Sequence, residues 1–249
     1  MSPLAASASA ATVRLIVDPV LAVVFPSRCP VCASHVARPT VGPLCETCWR
    51  DLPRHRGALC ACGFPLRGAV VGACGRCRRG LPSFARGFSL GPYEGGLRVA
   101  LHELKYRGRR RVAARLAEAV LADAGSAPVL ADGAVLVPVP LHPRRRRERG
   151  FNQAELLAAE VAKRAGLQVA SGALVRRIDT PSQTGLSAAA RRANVAGAFA
   201  VRGRAQVAGH VVVLVDDVLT TGATARACAR AMLQAGATEI RLLTAARVD

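Results

Sequence analysis

Apolar and polar positions follow two rhythms along this chain, and the rhythm switches several times. In residues 112–124, Val112, Leu116, Ala119 and Val120 recur at helical spacing, which predicts a helix with one buried face. Residues 134–139 (AVLVPV) are apolar without alternation and predict a buried strand. Residues 152–165 return to helical spacing, and Gly166 suits the cap that ends such a helix. A shorter strand is expected over 168–175. Residues 180–197 are rich in Ser, Thr, Gly and Arg with little apolar period, which predicts a mobile loop. HVVVLV (210–215) is a continuous apolar run, the pattern of a parallel strand covered on both faces. Ala225, Cys228, Ala229, Met232 and Leu233 then mark a buried helical face, Gly236 follows, and a last strand is expected over 239–246. Cys228 on that face reads as a core thiol, not a nucleophile. Alternating strands and helices imply an open α/β sheet. Ligands of such sheets sit at the carboxyl ends of the strands.

The run 210–215 leads straight into Asp216 and Asp217, and then into TTGAT (220–224). Two carboxylates at a strand end fit a vicinal diol, such as the 2- and 3-hydroxyls of a ribose. The backbone N–H groups of Thr220, Thr221, Gly222, Ala223 and Thr224 can converge on an anion at the positive end of the following helix. Gly222 lets the backbone approach closely, and the three Thr hydroxyls add donors. One short segment is thus able to grip a ribose 5-phosphate at both ends.

Eight of the nine cysteines lie between residues 29 and 77. Cys29 and Cys32 form CPVC, Cys45 and Cys48 form CETC, Cys60 and Cys62 form CAC, and Cys74 and Cys77 form CGRC. Paired thiols on tight turns are what tetrahedral zinc needs, and four thiolates leave no open position for a substrate. A structural Zn²⁺ module is expected, with zinc supplying much of its folding energy. The spacing leaves open whether the eight ligands bind two ions in sequence or interleaved.

Apolar residues make up 51% of the 249 positions, enough for a sizeable core, while aromatics are only 4%. Basic residues outnumber acidic ones 35 to 16, a net charge of +19. Lys occurs only at 105 and 163, so nearly all of that charge is Arg. The balance favours anionic partners, either phosphorylated metabolites or nucleic acid. Residues 4–25 are fairly apolar, but Arg14 and Asp18 interrupt them, so no membrane span is expected. Arg14 is the first basic residue, so the charged start of a secretory signal is missing. A cytoplasmic protein follows, with an amphipathic or disordered leader over 1–24, a cysteine-rich zinc module over 25–80 and an α/β domain over 90–249.

VLVDDVLTTGAT resembles the phosphoribosyl pyrophosphate (PRPP) loop of type I phosphoribosyltransferases, whose fold is a parallel sheet flanked by helices. From about residue 25 onward the chain resembles the ComF family, which joins a cysteine-rich zinc module to such a domain. The resemblance rests on the paired cysteines, on LHELKYRG (101–108), on VPVPLHPRRRRERGFNQAELL (137–157) and on TPSQTGLSAAARRANVAGAF (180–199). The CAC at 60–62 departs from the two-residue spacing common in that family. The resemblance implies that Asp216 and Asp217 contact the ribose hydroxyls and that Thr220 to Thr224 bind the 5-phosphate. Residues 138–150 follow a strand and carry Arg144, Arg145, Arg146, Arg147 and Arg149, a basic loop where this fold places pyrophosphate. Lys105 and Tyr106 are a second candidate pair. The loop 180–197, with Gln183, Arg191 and Asn194, is the expected lid.

The function these residues imply is Mg²⁺-dependent transfer of a phosphoribosyl group from PRPP to an unidentified acceptor, releasing pyrophosphate. Asp216, Asp217, Arg149 and Lys105 would be the catalytic residues. Two alternatives stand beside it. One is a single-stranded DNA-binding protein acting in DNA uptake, which the charge, the zinc module and the arginine runs at 107–111 and 144–149 favour. The scarcity of aromatics argues against a high-affinity single-strand groove. The other is a sensor that binds PRPP without turnover.

Overall fold

In the computed structural model, residues 27–40, 42–55, 59–64, 66, 72–78, 84–131, 133–178 and 197–248 are described. In chain order their regular elements are α1 (Glu46–Arg50), α2 (Gly75–Arg78), β1 (Arg86–Pro92), α3 (Gly95–Tyr106), α4 (Val112–Leu121), α5 (Ala127–Leu130), β2 (Val135–Pro138), α6 (Pro143–Arg149), α7 (Gln153–Ala165), β3 (Gln168–Val169), β4 (Leu174–Arg176), β5 (Phe199–Val201), β6 (Val211–Leu219), α8 (Ala223–Gln234) and β7 (Glu239–Arg247). The contacts group the chain into two compact units, residues 1–53 with 94–112, and residues 54–93 with 113–249. This grouping cuts across the sequence blocks 25–80 and 90–249, because each half of the cysteine-rich region packs with different neighbours.

In the first unit a turn from Ser27 to Val36 is closed by backbone bonds, with Val36 N donating to Ser27 O at 2.9 Å. It presents Cys29 and Cys32, and α1, whose N-cap is Cys45, presents Cys45 and Cys48. Leu97, Ala100, Leu101 and Leu104 of α3 are buried at helical spacing. A Cβ on Gly96 would lie 3.0 Å from Leu52, so that helix approaches the residues after α1 as closely as a missing side chain allows.

The second unit is built on a five-stranded sheet in the order β1-β7-β6-β2-β3, with every neighbouring pair parallel. Helix α7 packs on β6 and β2, and α8 packs on β6 and β7. Val212 and Leu214 of β6 share a core cluster with Cys228, Ala229 and Met232 of α8. Val213 and Val215 are also fully buried but face the other way, as strand alternation requires. From β2 the chain crosses to β3 on one side, and from β6 to β7 on the other. The order therefore reverses between β2 and β6, which makes their carboxyl edge the switch point where ligands of open α/β sheets bind. The expected parallel sheet flanked by helices is the observed one.

Four local expectations need correction. The strand expected to stop at 215 continues to Leu219, so Asp216 and Asp217 lie inside β6, held by parallel pairing with β7. The strand expected over 168–175 is two strands. Gly172 takes φ +82° between them, so β3 pairs with β2 while β4 turns away to pair antiparallel with β5. The basic loop after β2 contains a helix, α6: His142 caps it, Pro143 starts it, and Gly150 ends it at φ 73°. Leu233, expected on the buried face of α8, is 42% exposed, while Ala225, Cys228, Ala229 and Met232 are buried. Cys228 is fully buried, as a core thiol should be. The expected leader 1–24 and the lid residues Gln183, Arg191 and Asn194 lie outside the described residues.

Candidate functional site

Adjacent strand residues point to opposite faces, and the two aspartates obey this. Asp217 is 7% exposed and points toward α7, where its Oδ2 accepts from Gln153 Nε2 at 3.3 Å. Its Oδ1 accepts from Val218 N at 2.8 Å. Asp216 is half-buried and lies on the α8 face. Burial pushes the Cys228 thiol well above its usual range; the Asp216 carboxylate adds to that push and the Arg176 guanidinium opposes it. The carboxylates are therefore not side by side: Asp217 is held by Gln153 of α7, while Asp216 Oδ1 accepts from the Asp217 backbone N at 2.9 Å.

After Leu219 the chain turns through Thr220 and Thr221 into α8, with Gly222 at φ 72° as the N-cap. Ala223 N donates to Thr221 Oγ1 at 3.4 Å, so one hydroxyl stabilises the turn itself. Thr220, Thr221 and Thr224 are all half-buried. Arg226, one turn into α8, reaches back to donate from Nη1 to Thr221 O at 3.0 Å. The positive end of α8 and the Arg226 guanidinium thus meet at this turn, a setting that favours an anion. Sequence reasoning missed Arg226, although its place four residues after Gly222 is a readable signal that it returns to the first turn.

Helix α7 ties the neighbouring strand end to the same place. The Asn152 side chain caps it, accepting from Ala154 N at 3.1 Å, and donates from Nδ2 to Val139 O at 3.0 Å. Asn152 and Gln153 are both buried polar residues, and they fasten the ends of β2 and β6 to one helix start. Among the described residues Gln153 Oε1 is buried with no hydrogen-bond partner, and the glutamine side chain is held by its amide N–H to Asp217. Arg149 sits half-buried at the last position of α6. Lys105 is on α3, in the first compact unit, whereas the aspartates and the Thr/Gly turn are in the second.

The eight cysteines separate in sequence order. Cys29, Cys32, Cys45 and Cys48 form one group and Cys60, Cys62, Cys74 and Cys77 another, and within each all four sulfurs lie within 4.8 Å of one another. Four thiolates about 2.3 Å from one zinc stand about 3.8 Å apart. The observed separations include 3.5 Å for Cys32–Cys45, 3.4 Å for Cys60–Cys77 and 3.6 Å for Cys62–Cys74. Both groups therefore fit one tetrahedral zinc each, with Cys60 included despite its short spacing to Cys62. Hydrogen bonds from Ser34 lower the Cys32 thiol to about 6, whereas burial and neighbouring sulfurs push Cys48 up. In the second group burial raises Cys60, but backbone hydrogen bonds from Cys74 and Cys62 outweigh it and bring it to about 7. Burial takes Cys77 up to about 11. Four crowded thiols resist losing their protons together, and a divalent cation relieves that repulsion.

The second group is also stitched to the sheet. Gly87 N of β1 donates to Ala61 O at 2.8 Å, and Arg247 of β7 donates from Nη1 to Gly63 O at 2.9 Å. The Arg247 guanidinium lies 3.8 Å from the Phe64 ring centroid.

Fold, turn and sulfur clusters together define a phosphoribosyltransferase-like unit joined to zinc-ribbon elements. Family models agree, matching a double zinc ribbon domain over residues 20–78 and a phosphoribosyl transferase domain over residues 152–248. The chain belongs to the ComF/YhgH family. It is 35% identical over 223 residues to the DNA utilization protein YhgH of Salmonella typhi, covering 87% of this chain and 95% of that one. It is 30% identical to competence protein F of Haemophilus influenzae over 90% of this chain and 98% of that one. It is also 30% identical to competence protein ComFC of Bacillus subtilis, over 78% and 79% respectively. No helix among the described residues is long and apolar enough to cross a membrane.

Proposed function

We propose that the protein binds PRPP at the β6–α8 turn and transfers its phosphoribosyl group to an acceptor. The observation that carries this reading is the run of β6, through Asp216 and Asp217, into an αL-capped Thr/Gly turn at the sheet's switch point. The 5-phosphate takes the N–H groups of residues 221–224 and the Thr hydroxyls. Asp216 accepts from the ribose hydroxyls, and Asp217, fixed by Gln153, sets the backbone there. Mg²⁺, when bound, neutralises charge on the pyrophosphate; such ions usually take one or two carboxylates together with substrate phosphates, which the half-buried Asp216 suits. Arg149, in the same compact unit as the turn, stabilises the leaving group. In the step itself the acceptor forms a bond to C1 as the C1–O bond to pyrophosphate breaks. The test is calorimetric titration of PRPP with Mg²⁺ into wild type and Asp216→Ala/Asp217→Ala. Binding lost in the double variant supports the reading, and no binding to wild type overturns it.

A second reading is favoured by the names of the relatives, which refer to DNA utilization and competence, and by the net charge of +19. In it the protein also binds single-stranded DNA through phosphate contacts. Such binding weakens steeply with added salt, and oligonucleotide affinity that is flat between low and high salt would rule it out.

A further inference from the structure

The two cysteine groups offer the same ligands but not the same access. Of their eight cysteines Cys32 alone is exposed, Cys48 and Cys77 are half-buried, and the other five are buried. The first group therefore opens to solvent along Cys32 and Cys48, whose sulfurs stand 3.4 Å apart. Cys60, Cys62 and Cys74 of the second group belong to the hydrophobic core of the sheet unit, and Cys77 packs against it. A metal-ligating thiol is deprotonated in either group, and the thiolate is the form that reacts with oxidants. Susceptibility follows thiolate character and exposure together, so access separates the two groups.

Local geometry also selects the partner of Cys32. Cys45 Sγ lies 3.5 Å from it, but Cys45 is buried, and its sulfur accepts from Cys48 N at 3.5 Å as the N-cap of α1. Cys48 Sγ is nearer to Cys32 and only half-buried. The same segment supports α3. A Cβ on Gly96 would meet Leu52 at 3.0 Å, Leu44 at 3.4 Å and Cys48 O at 3.5 Å, so α3 lies directly on residues 44–52. Loss of the metal from the first group would loosen that contact. The second group is tied to β1 and β7 by backbone and Arg247 hydrogen bonds, which hold it without the metal's help.

We infer that Cys32 is an oxidation site for hydroperoxides, and that its disulfide with Cys48 releases zinc from the first group while the second group keeps its own. The Cys32 thiolate attacks one peroxide oxygen and the O–O bond breaks, leaving a sulfenic acid and hydroxide. The Cys48 thiolate then attacks the Cys32 sulfur, forming the S–S bond and expelling a second hydroxide. Two thiolates are oxidised, one peroxide is reduced, and two protons convert the hydroxides to water. With two of its four sulfurs joined to each other, the first group no longer offers a tetrahedral set. This inference rests on the assignment of one zinc to each group and is independent of the PRPP reading.

The experiment treats zinc-loaded full-length protein with hydrogen peroxide beside a chromophoric chelator, and maps disulfides by mass spectrometry. One zinc per chain is expected to leave at least about tenfold faster than the other, in step with a Cys32–Cys48 disulfide. Hydrogen exchange is expected to show protection lost in α3 and kept in β6. Dithiothreitol with added Zn²⁺ should restore both ions. Cys32→His leaves three cysteines and one histidine, a set that structural zinc accepts. It is expected to hold both ions and to slow the first release by about tenfold. Cys77→His, in the second group, should release its first zinc as fast as wild type. Both ions leaving together would overturn the inference. So would retention of both at peroxide levels that oxidise free cysteine, or a first disulfide other than Cys32–Cys48. If Cys32→His does not take up zinc, the release rates and disulfide map of the wild type decide by themselves.

Discussion

Gln153 donates from Nε2 to Asp217 Oδ2 at 3.3 Å, joining the first residue of α7 to the middle of the phosphate-binding edge. Leucine at 153 would fill similar space and leave the buried Asp217 short of a donor. Gln153→Leu is expected to cost about 1–3 kcal/mol of stability and to weaken PRPP binding. Gln153→Glu, which faces one carboxylate with another, should be worse on both counts. Thermal melts and calorimetry decide; wild-type values for both variants would make the bond incidental.

Arg226 holds the Thr221 carbonyl from within α8. If its guanidinium serves the 5-phosphate, Arg226→Leu will lower PRPP affinity by about tenfold or more, the loss of one charged hydrogen bond of about 1.5–3 kcal/mol. Arg226→Lys should restore part of that affinity. A melting temperature near wild type in both variants would separate binding from folding.

Each chain should carry two zinc ions by elemental analysis, and Cys62→Ser should carry one. The pH dependence has a definite sign. With its thiol raised to about 11, Cys77 holds its proton at neutral pH and must release it to bind metal. Zinc affinity of the second group should therefore rise as pH increases toward 9 and fall on acidification. Competition with a chromophoric chelator across that range measures it, and affinity that stays level with pH would count against thiolate ligation by Cys77.

A Cβ on Gly87 would lie 2.4 Å from the Cys62 carbonyl oxygen, and backbone there cannot yield cheaply. Gly87→Ala should destabilise the second unit by about 2–4 kcal/mol, lowering the melting temperature by about 5 °C or more. It should also loosen the zinc held by the second group. A melt matching wild type would show that the ribbon and sheet separate easily.

Much of this arrangement is legible in the residues. The apolar run of β6, the Asn152 and Gly166 caps of α7 and the buried face around Cys228 are local signals, and the structure follows them. What escaped depends on distant partners. β5 is three residues long and pairs with β4 across more than twenty intervening positions, which no short-range pattern announces. α6 was hidden because its arginines resemble a solvated loop; its helical character comes from His142, Pro143 and Gly150 at its ends and from the Arg144–Glu148 pair at 3.0 Å. Two adjacent aspartates in the sequence look like a single pincer. Strand alternation sends them to opposite faces, which becomes visible once β6 is seen to run past them.

That extension of β6 has an entropic meaning. Its register with β7 runs from Val211↔Glu239 to Leu219↔Arg247, whereas its register with β2 ends at Val215. The backbone carrying both carboxylates is ordered before any ligand arrives, and immobilising a residue costs about 1–2 kcal/mol. A ligand at this edge meets preorganised acceptors and keeps that free energy as affinity. Substitutions in β7 that loosen the pairing, at Thr244 opposite Asp216 for example, would weaken binding without touching the ligand.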